Sequence, residues 1–387
     1  MSWSLISALS AFALASVHAL VLDQWRRALA KDPEDHDTLP DAATSITVIV
    51  PARDAGGTLI PLLQDLHAQD LPGAAFEVLV VDDHSTDGTA RVVRDMMHRW
   101  PGLKYLALAD TQGKKAALEA GVAQARGDLI VVTDADVRCG PRRLAAIARH
   151  WATNRPAMLL LPVHTTGGRG FLAWLQRKEQ LALQGVALGS ARMGSPLLAN
   201  GANMAFAREA FLRVGGYTGD RWASGDDMSL LARMRAHRWP VDVLVDREAA
   251  VRTAPERTWW AFFAQRLRWA GKMRGHRAIG GTVTSSIALL FPWALAVLTW
   301  WAISHVQVGQ GLFYTSVLIG AAWLLWSLPI IRLEQASMRS FRSDTGPAEG
   351  GDGPLPTLVA MFLFTLYAPV IAVLSIFVRP TWKGRRV

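Results

Sequence analysis

Four long apolar segments constrain the fold of this chain more than any other feature of its sequence. None of them contains Asp, Glu, Lys or Arg, and they occupy residues 2–22, 283–303, 311–331 and 355–378. About 20 apolar residues in a helix are enough to cross a bilayer. A large soluble protein can contain one such buried helix, but four of them predict an integral membrane protein.

Basic residues beside the first segment predict that it is retained. Arg26, Arg27 and Lys31 follow it, whereas a cleaved secretory signal carries its positive charge in front of the apolar stretch. Val17-His18-Ala19 could serve as a cleavage site, but the charge order favours an uncleaved anchor. Residues 1–24 are therefore expected to form a transmembrane anchor.

A second basic cluster precedes residue 283 and predicts the orientation of the chain. It contains no intervening acid and consists of Arg266, Arg268, Lys272, Arg274 and Arg277. Positive charge marks the cytoplasmic side, so we expect the polar middle of the chain to be cytoplasmic, in a plasma or inner membrane protein. Counting three spans through 282–378 places the C-terminus outside, whereas the basic tail 379–387 favours the inside. Whether the last segment, which contains Pro369, crosses fully is left open.

The composition agrees with a membrane protein and narrows its partners. Apolar residues make up 51% of the 387 residues and charged residues 19%, below the roughly one quarter typical of soluble domains. The net charge of +9 permits nucleic acid or a bilayer as partner, but the basic residues cluster beside apolar segments, which favours the bilayer and argues against nucleic acid. A single cysteine, Cys139, cannot form an intramolecular disulfide, so no oxidising compartment is required.

Short apolar segments alternate with helical patterns in the region 45–258, which follows a linker at 25–44. We expect strands at 46–50, 77–81, 103–108, 128–133 and 157–163, and helices at 59–68, 89–100, 114–125 and 142–151. This alternation predicts an α/β domain with a Rossmann-like mixed, mostly parallel sheet. Ligands of such sheets bind beyond the carboxyl ends of the strands, so the residues that follow each strand are the candidate site.

Acidic residues follow three of these strands. They are Asp54 after the first, Asp82 and Asp83 after the second, and Asp134 and Asp136 after the fourth. Carboxylates that converge on one edge repel each other and need a compensating cation. The Asp134-x-Asp136 pair could hold Mg²⁺ or Mn²⁺ with phosphate oxygens and water, although acids are also common in ordinary turns.

Two further patterns lie later in the polar region. Asp226 and Asp227 begin a predicted helix, where they could complement its dipole or present a general base. The segment 259–281 is aromatic and basic, and is expected to form an amphipathic helix at the membrane interface. It carries Gln-Arg-Leu-Arg-Trp at 265–269, and an interfacial role and a role in a site are compatible with each other.

Five motifs follow one another in this order along the polar region. They are Val-Asp-Asp-x-Ser-Thr-Asp at 81–87, Gly-Lys-Lys at 113–115, Asp-Ala-Asp at 134–136, Gly-Asp-Asp at 225–227 and Gln-x-x-Arg-Trp at 265–269. Together, with one apolar segment before them and several after, they resemble the membrane-bound family 2 glycosyltransferases. That family shares a GT-A fold with cellulose, hyaluronan and poly-N-acetylglucosamine synthases. Residues 198–203, Leu-Ala-Asn-Gly-Ala-Asn, are similar to its acceptor-side segment.

The resemblance implies an inverting transfer of a sugar from a nucleotide diphosphate donor, usually a UDP-sugar, to a membrane-associated lipid or a growing polysaccharide. The nucleotide-sugar contacts it implies are Pro51, Arg53, Asp54, Asp82, Asp83, Lys114, Asp134, Gln265, Arg268 and Trp269. The implied acceptor contacts are Asn200, Gly201, Asn203 and Trp269.

The same resemblance implies the chemical roles of four acids. Asp134 and Asp136 would hold Mg²⁺ or Mn²⁺, and Asp227 would be the catalytic base with Asp226 beside it. Relatives commonly have Asn-Glu where this chain has Asp54-Ala55, so Asp54 is the candidate to replace the missing acid.

Two alternatives are left open. Gln-x-x-Arg-Trp is typical of processive enzymes that extrude a polysaccharide. Three C-terminal segments, however, offer little material for a channel in a monomer and favour a lipid acceptor or a short polymer. The other class is a catalytically inactive membrane scaffold or transporter component. Transporters usually carry ionisable residues within their spans, and here only His18 and His305 lie in or near them.

Overall fold

The computed structural model describes residues 3–30, 44–71, 76–220, 225–272, 279–305, 310–339, 353–378, 381–382 and 385–386. Most of the predicted linker 25–44, part of the segment 259–281 and most of the basic tail 379–387 lie outside the described residues.

A seven-stranded mixed sheet forms the centre of the polar region. Its strands are β1 (Ile46–Ala52), β2 (Phe76–Asp82), β3 (Leu103–Ala107), β4 (Leu129–Thr133), β6 (Met158–Leu160), β8 (Asn203–Ala207) and β9 (Val241–Val243). The order is β3-β2-β1-β4-β8-β6-β9. Strands β3, β2, β1 and β4 are parallel, and β8 runs antiparallel between β4 and β6. The predicted α/β class with a mostly parallel sheet is confirmed.

A smaller sheet joins β5 (Arg138–Cys139), β10 (Val251–Thr253) and β7 (Val163–Thr165) in that order. The single strand predicted at 157–163 is therefore divided between two sheets. Pro162, which has no N–H to donate to a ladder, lies between β6 and β7.

Helices cover both faces of the central sheet. They are α2 (Leu59–His67), α3 (Thr89–Met97), α4 (Lys114–Gln124), α5 (Arg143–Asn154), α6 (Phe171–Arg192), α7 (Arg208–Arg213) and α8 (Asp226–Ala236). Alternation along β4 decides which core a side chain joins, because successive residues of a strand point to opposite faces. Val131 packs in the cluster that contains α2 and α5, whereas Ile130 and Val132 pack in the cluster that contains α4 and α8.

The register brings the carboxyl ends of β1, β2 and β4 to one edge of the sheet. Ala52 is level with Asp82, and Ile49 is level with Val132. The residues that follow these three strands therefore leave the sheet side by side, as the parallel arrangement predicts.

Among the described residues, four long apolar helices lie outside this domain. They are α1 (Trp3–Leu29), α10 (Ile279–Ser304), α11 (Gln310–Arg339) and α12 (Pro354–Phe377). Trp3–Leu29, Gly311–Met338 and Pro354–Phe377 are long and apolar enough to cross a membrane. The remaining predicted segment, 283–303, lies in α10, whose described apolar part is the shorter Leu290–Ser304. Helix α12 continues through Pro369.

Two predicted boundaries differ from the observed ones. Helix α1 continues beyond residue 24 to Leu29, because its last turns pack against the domain and Leu29 is buried in the domain core. The helix predicted at 259–281 is observed as α9 (Trp259–Lys272), and α10 already begins at Ile279. At the end of the chain, β11 (Thr381–Trp382) pairs antiparallel with β12 (Arg385–Arg386).

Helix α6 joins the domain to two of the long apolar helices through two glycines. A Cβ at Gly185 would lie 2.9 Å from Leu333 Cγ of α11, and a Cβ at Gly189 would lie 2.7 Å from Trp25 Cβ of α1. Small residues four apart on one helix face let neighbouring helices approach closely. Leu22 and Leu333 belong to the same hydrophobic cluster as the core of the domain, so the two parts of the molecule share a core.

Candidate active site

Asp82 ends β2 and Asp83 follows it, and both carboxylates are almost wholly buried. Asp82 accepts hydrogen bonds from Ser85 N at 2.9 Å and from the Tyr105 hydroxyl at 2.6 Å. Asp83 Oδ2 accepts from Gly113 N at 3.0 Å. These bonds tie together the loops that follow β2 and precede α4, so the two carboxylates form a fixed polar floor at this edge of the sheet.

The end of β1 is fastened to the same loop. Pro51 is paired with Val81 in the sheet, and Arg53 Nη1 donates to the Asp83 carbonyl at 2.8 Å. Asp54 has a left-handed φ of 44°, which non-glycine residues adopt uncommonly. Its Oδ1 accepts from Thr86 N at 2.8 Å, which holds the Asp54 carboxylate against the loop after β2.

Lys114, the first residue of α4, is a cation among the carboxylates at this edge of the sheet. Its Nζ lies 2.8 Å from Asp134 Oδ1 and 3.2 Å from Asp226 Oδ2, and it donates to the Gly201 carbonyl at 3.0 Å. Burial lowers the pKa of such an ammonium, but the carboxylates of Asp134, Asp226 and Asp227 outweigh burial and raise the pKa of Lys114 well above its ordinary value. One cation therefore connects the end of β4, the start of α8 and the loop before β8.

Asp226 and Asp227 are the first two residues of α8, and both are buried. Negative charge at a helix N-terminus is favoured by the helix dipole. Asp226 faces Lys114, whereas Asp227 Oδ2 accepts from Gly201 N at 3.0 Å. The two adjacent acids therefore have different surroundings: Asp226 pairs with a cation, and Asp227 holds the segment 198–203 against the start of α8.

Gly201 allows the backbone to come unusually close to this ion pair. A Cβ at this position would lie 2.7 Å from Asp226 Oδ2 and 2.8 Å from Lys114 Nζ. The preceding Asn200 is half-buried, and its Oδ1 accepts from Ala202 N at 3.0 Å. The turn that contains Asn200 and Gly201 therefore lies beside the Lys114–Asp226 pair.

Asn203 has a different position from the one that the resemblance implied. It is wholly buried, and its Oδ1 accepts from Arg143 Nη2 at 2.7 Å. Its Nδ2 donates to the carbonyls of Pro162 and Ala249 at 2.7 and 2.9 Å. Because the oxygen and both N–H groups of the amide are engaged, Asn203 lies beneath the site and not at its acceptor surface.

Asp134 and Asp136 follow β4 and are the more exposed carboxylates of the site. The Asp134 side chain is 35% exposed, and Asp136 is also exposed. In the described part of the chain, no group of three or more His, Cys, Asp or Glu side chains is arranged to hold a metal ion. A pair of carboxylates leaves most coordination positions open, which suits a metal shared with phosphate oxygens and water.

Helix α9 brings a second cation to the same edge. Burial lowers the pKa of Arg268, and the negative charges of Glu256, Asp134 and Asp136 oppose that effect, so these carboxylates are close enough to act on the guanidinium. Gln265 Nε2 donates to Glu256 Oε1 at 2.9 Å. The start and the middle of α9 are thus connected through a carboxylate near the site.

Three residues that support this site were not identified from the sequence: Tyr105, Glu256 and Arg266. Burial raises the pKa of Tyr105 to about 12, and its hydrogen bond to Asp82 and the charge of that carboxylate add to the effect, so the phenol remains a donor at neutral pH. The Arg266 guanidinium lies 4.4 Å from the centroid of the Trp269 ring. In the sequence, Tyr105 stands out as a tyrosine inside a predicted strand, and Glu256 as an acid just before an aromatic helix.

The sequence of this chain is similar to that of a known protein family and of several named relatives. A family model described as Glycosyl transferase family 2 matches residues 47–215. Beta-monoglucosyldiacylglycerol synthase from Synechocystis sp. is 29% identical over 285 residues, which cover 69% of this chain and 54% of that protein. The chain therefore spans about half the length of this relative. Undecaprenyl-phosphate 4-deoxy-4-formamido-L-arabinose transferase from Edwardsiella ictaluri is 31% identical over 102 residues, 26% of this chain and 31% of that protein.

Among solved structures, the mannosyltransferase PcManGT from Pyrobaculum calidifontis, in complex with GDP-Man and Mn²⁺, is similar over the whole chain. The match covers 96% of both chains with a TM-score of 0.54 and 21% sequence identity. At this identity the similarity establishes the fold, which includes the arrangement of the sheet around the site described above.

Proposed function

This chain carries a family 2 glycosyltransferase domain with the GT-A fold, joined to helices that fit membrane association, and we propose that it is an inverting glycosyltransferase that uses a UDP-sugar. The proposed acceptor is a lipid at the cytoplasmic face of the membrane. The observation that carries the proposal is the position of Lys114, held between Asp134 at a strand end and Asp226 at a helix start.

The proposed donor contacts lie on two sides of this cation. Asp82, Asp83 and Arg53 form the floor beside β1 and β2 where a nucleoside would lie. Lys114 and Arg268 are the cations near the Asp134 carboxylate, and a departing nucleotide diphosphate needs such positive charge to stabilise the charge that it gains. Arg53, Asp82, Asp83 and Lys114 are therefore the contacts that we propose at this edge of the sheet.

Asp134 and Asp136 would hold the divalent metal, Mg²⁺ or Mn²⁺. These two residues fit such a metal, because two partly or fully exposed carboxylates can supply two of its oxygen ligands while the diphosphate and water supply the others. When bound, the metal would neutralise charge on the diphosphate. Lys114, already 2.8 Å from Asp134, would hold the same carboxylate in place.

Asp227 is the proposed catalytic base. A general base must lie within hydrogen-bond reach of the hydroxyl that it deprotonates. Asp227 accepts a backbone hydrogen bond from Gly201, in the segment assigned to the acceptor, whereas Asp226 lies 3.2 Å from Lys114. This division assigns proton transfer to Asp227 and the positioning of Lys114 to Asp226.

The proposed acceptor is a single lipid and not a long polymer. Helix α1 packs closely against α10 and α11, with Ala11, Ala15 and Ala322 fully buried between them. Helix α9 packs against the apolar helix α12, and Trp260 of α9 is 84% exposed, as expected for an aromatic residue at headgroup level. By their names, one relative described above makes a glucosylated diacylglycerol and the other is an undecaprenyl-phosphate sugar transferase, and both names point to lipids.

The direct test is turnover by the purified full-length protein in nanodiscs. We expect release of UDP from one UDP-sugar in the presence of bacterial lipid extract, with a single sugar added per lipid on mass spectrometry. EDTA should abolish the release and Mn²⁺ or Mg²⁺ should restore it. Release of GDP alone would contradict the donor assignment, full activity in EDTA would contradict the metal assignment, and long product chains would contradict single transfer.

Gly201→Ala should reduce turnover by about two orders of magnitude, because displacement of reacting groups by about 1 Å has effects of that size. The added methyl group would meet Asp226 Oδ2 at 2.7 Å and Lys114 Nζ at 2.8 Å and force them apart. Gly57→Ala is the matched control, since a Cβ there meets nothing within 4 Å. Equal activity of the two variants in the UDP-release assay would show that the close approach at Gly201 is not needed.

A further inference from the structure

Helix α6 carries a buried ion pair that the proposed chemistry does not use. Arg266 Nε of α9 donates to both carboxylate oxygens of Glu179 at 3.1 Å, and Arg266 Nη2 also donates to this carboxylate. Both side chains are only 6% exposed. The guanidinium also lies 4.2 Å from the centroid of the Phe262 ring and 4.4 Å from that of Trp269. Arg266 is therefore held by a forked charge contact and by two aromatic rings of its own helix.

Arg266 and Arg268 face opposite sides of α9. Residues two apart on an α-helix are separated by about 200° around the axis. Arg266 accordingly contacts Glu179 on α6, whereas Arg268 lies near Asp134 and Asp136 at the edge of the sheet. Fixing Arg266 against α6 therefore fixes the rotation of α9 that directs Arg268 toward the site.

The start of α9 is held by the same helix. Gln176 Nε2 donates to the Glu256 carbonyl at 3.0 Å, and Gln176 Oε1 accepts from Glu256 N at 2.8 Å. The side chain of Glu256 in turn accepts from Gln265. One face of α6 thus holds both the segment that leads into α9 and the middle of α9 itself.

The neighbouring residue on α6 binds the membrane helices. Lys178 Nζ lies 2.7 Å from Glu334 Oε1 of α11, and both side chains are buried. The same ammonium donates to Thr357 Oγ1 of α12 at 3.5 Å. Adjacent residues of α6 therefore contact α9 and two of the long apolar helices.

A buried ion pair is a weak source of stability, because desolvation offsets much of the attraction between the charges. Its forked geometry does restrict orientation, since a guanidinium and a carboxylate pair in a plane. We propose that Glu179 and Arg266 form a positioning pair that fixes α9 on α6, so that Arg268 is presented to the donor site. This inference rests on the proposed function, because it takes the task of α9 to be contact with the nucleotide-sugar.

The test combines turnover with backbone amide exchange in full-length protein in nanodiscs. Glu179→Gln should lower kcat/KM for the donor at least about tenfold per folded molecule, and it should speed amide exchange in α9 by on the order of tenfold. Exchange in β1 and β4 should not change. Glu209→Gln is the matched control, because it removes the same charge from an exposed pair with Arg213 on α7. Arg268→Gln should raise the donor KM while exchange in α9 stays as in the wild type.

A second variant removes the concern that an unpaired buried charge unfolds the protein. Glu179→Met/Arg266→Met leaves no charge unpaired, so it should fold while it still loses turnover and protection in α9. Wild-type turnover in this double variant, or exchange that rises equally in β1, β4 and α9, would overturn the positioning role. If the wild type turns over no nucleotide-sugar, the proposed function fails, but the exchange comparison still decides whether the pair fixes α9.

Discussion

Asp227→Asn is expected to reduce turnover by about 10²–10⁴-fold, the usual contribution of a positioned general base, while nucleotide-sugar binding survives. The asparagine oxygen can still accept the hydrogen bond from Gly201 N that Asp227 Oδ2 accepts at 3.0 Å, so the segment 198–203 should stay in place. The amide, however, cannot take a proton from an acceptor hydroxyl. UDP release measures the first effect, and calorimetric titration with the donor measures the second.

Asp226→Asn is the matched control, since it removes the neighbouring charge from the same helix start. Asp226 is paired with Lys114 at 3.2 Å, so this variant should change donor affinity more than Asp227→Asn does. Loss of donor binding in Asp227→Asn would move that residue to the donor side of the site. Unchanged biological activity of Asp227→Asn would instead favour the catalytically inactive scaffold or transporter component.

Lys114→Met should nearly abolish donor binding and also destabilise the folded protein by about 3 kcal/mol, the usual effect of removing one partner from a buried ion pair. The methionine fills a similar space but leaves Asp134 and Asp226 without the ammonium that lies 2.8 and 3.2 Å from them. Thermal unfolding in nanodiscs measures the stability change, and donor titration measures the affinity. Lower pH should partly restore the stability of the variant, because protonation of the two acids removes their repulsion.

The stability of the wild-type protein should depend on the charge of Lys114 and should therefore fall only at high pH. Since the pKa of Lys114 is raised in the folded state, its stabilising contribution is complete below the ordinary lysine pKa of 10.5 and is lost only as the pH rises beyond that value.

Lys115→Met provides the control for Lys114→Met, because Lys115 pairs with Asp220 at 2.9 Å and not with Asp134 or Asp226. It should lower stability without the loss of donor affinity, and equal loss of affinity in both variants would contradict the assigned role of Lys114.

The parallel half of the sheet could be predicted from the sequence because its strands are buried on both faces. Such strands are nearly continuous apolar runs, as in β1 and β4. The antiparallel strand β8 (Asn203–Ala207) was missed because its pairing with β4 and β6 joins residues far apart in the chain. Helix α6 was missed for a related reason: its polar side chains are buried by distant partners, such as Glu334 and Arg266.

The acids of the candidate site could be located because strand ends converge in a parallel sheet, but their partners could not. That Lys114 joins Asp134 to Asp226 depends on the packing of α4 against the start of α8. The burial of Asn203 follows from its bond to Arg143, which no local pattern predicts. The roles assigned to these residues stay predictions until the variants above are measured.

The shared core has a consequence for the order in which this protein is made. Leu22 from the first helix and Leu333 from α11 pack in the same cluster as Val132 and Phe206 of the central sheet. The ribosome delivers Leu333 only after the central sheet, α1 and α10 have emerged, so the domain lacks part of its interior until late in synthesis. Completion of the catalytic domain therefore waits for the long apolar helices, and a fragment cut before α11 would expose an unfinished apolar surface to water.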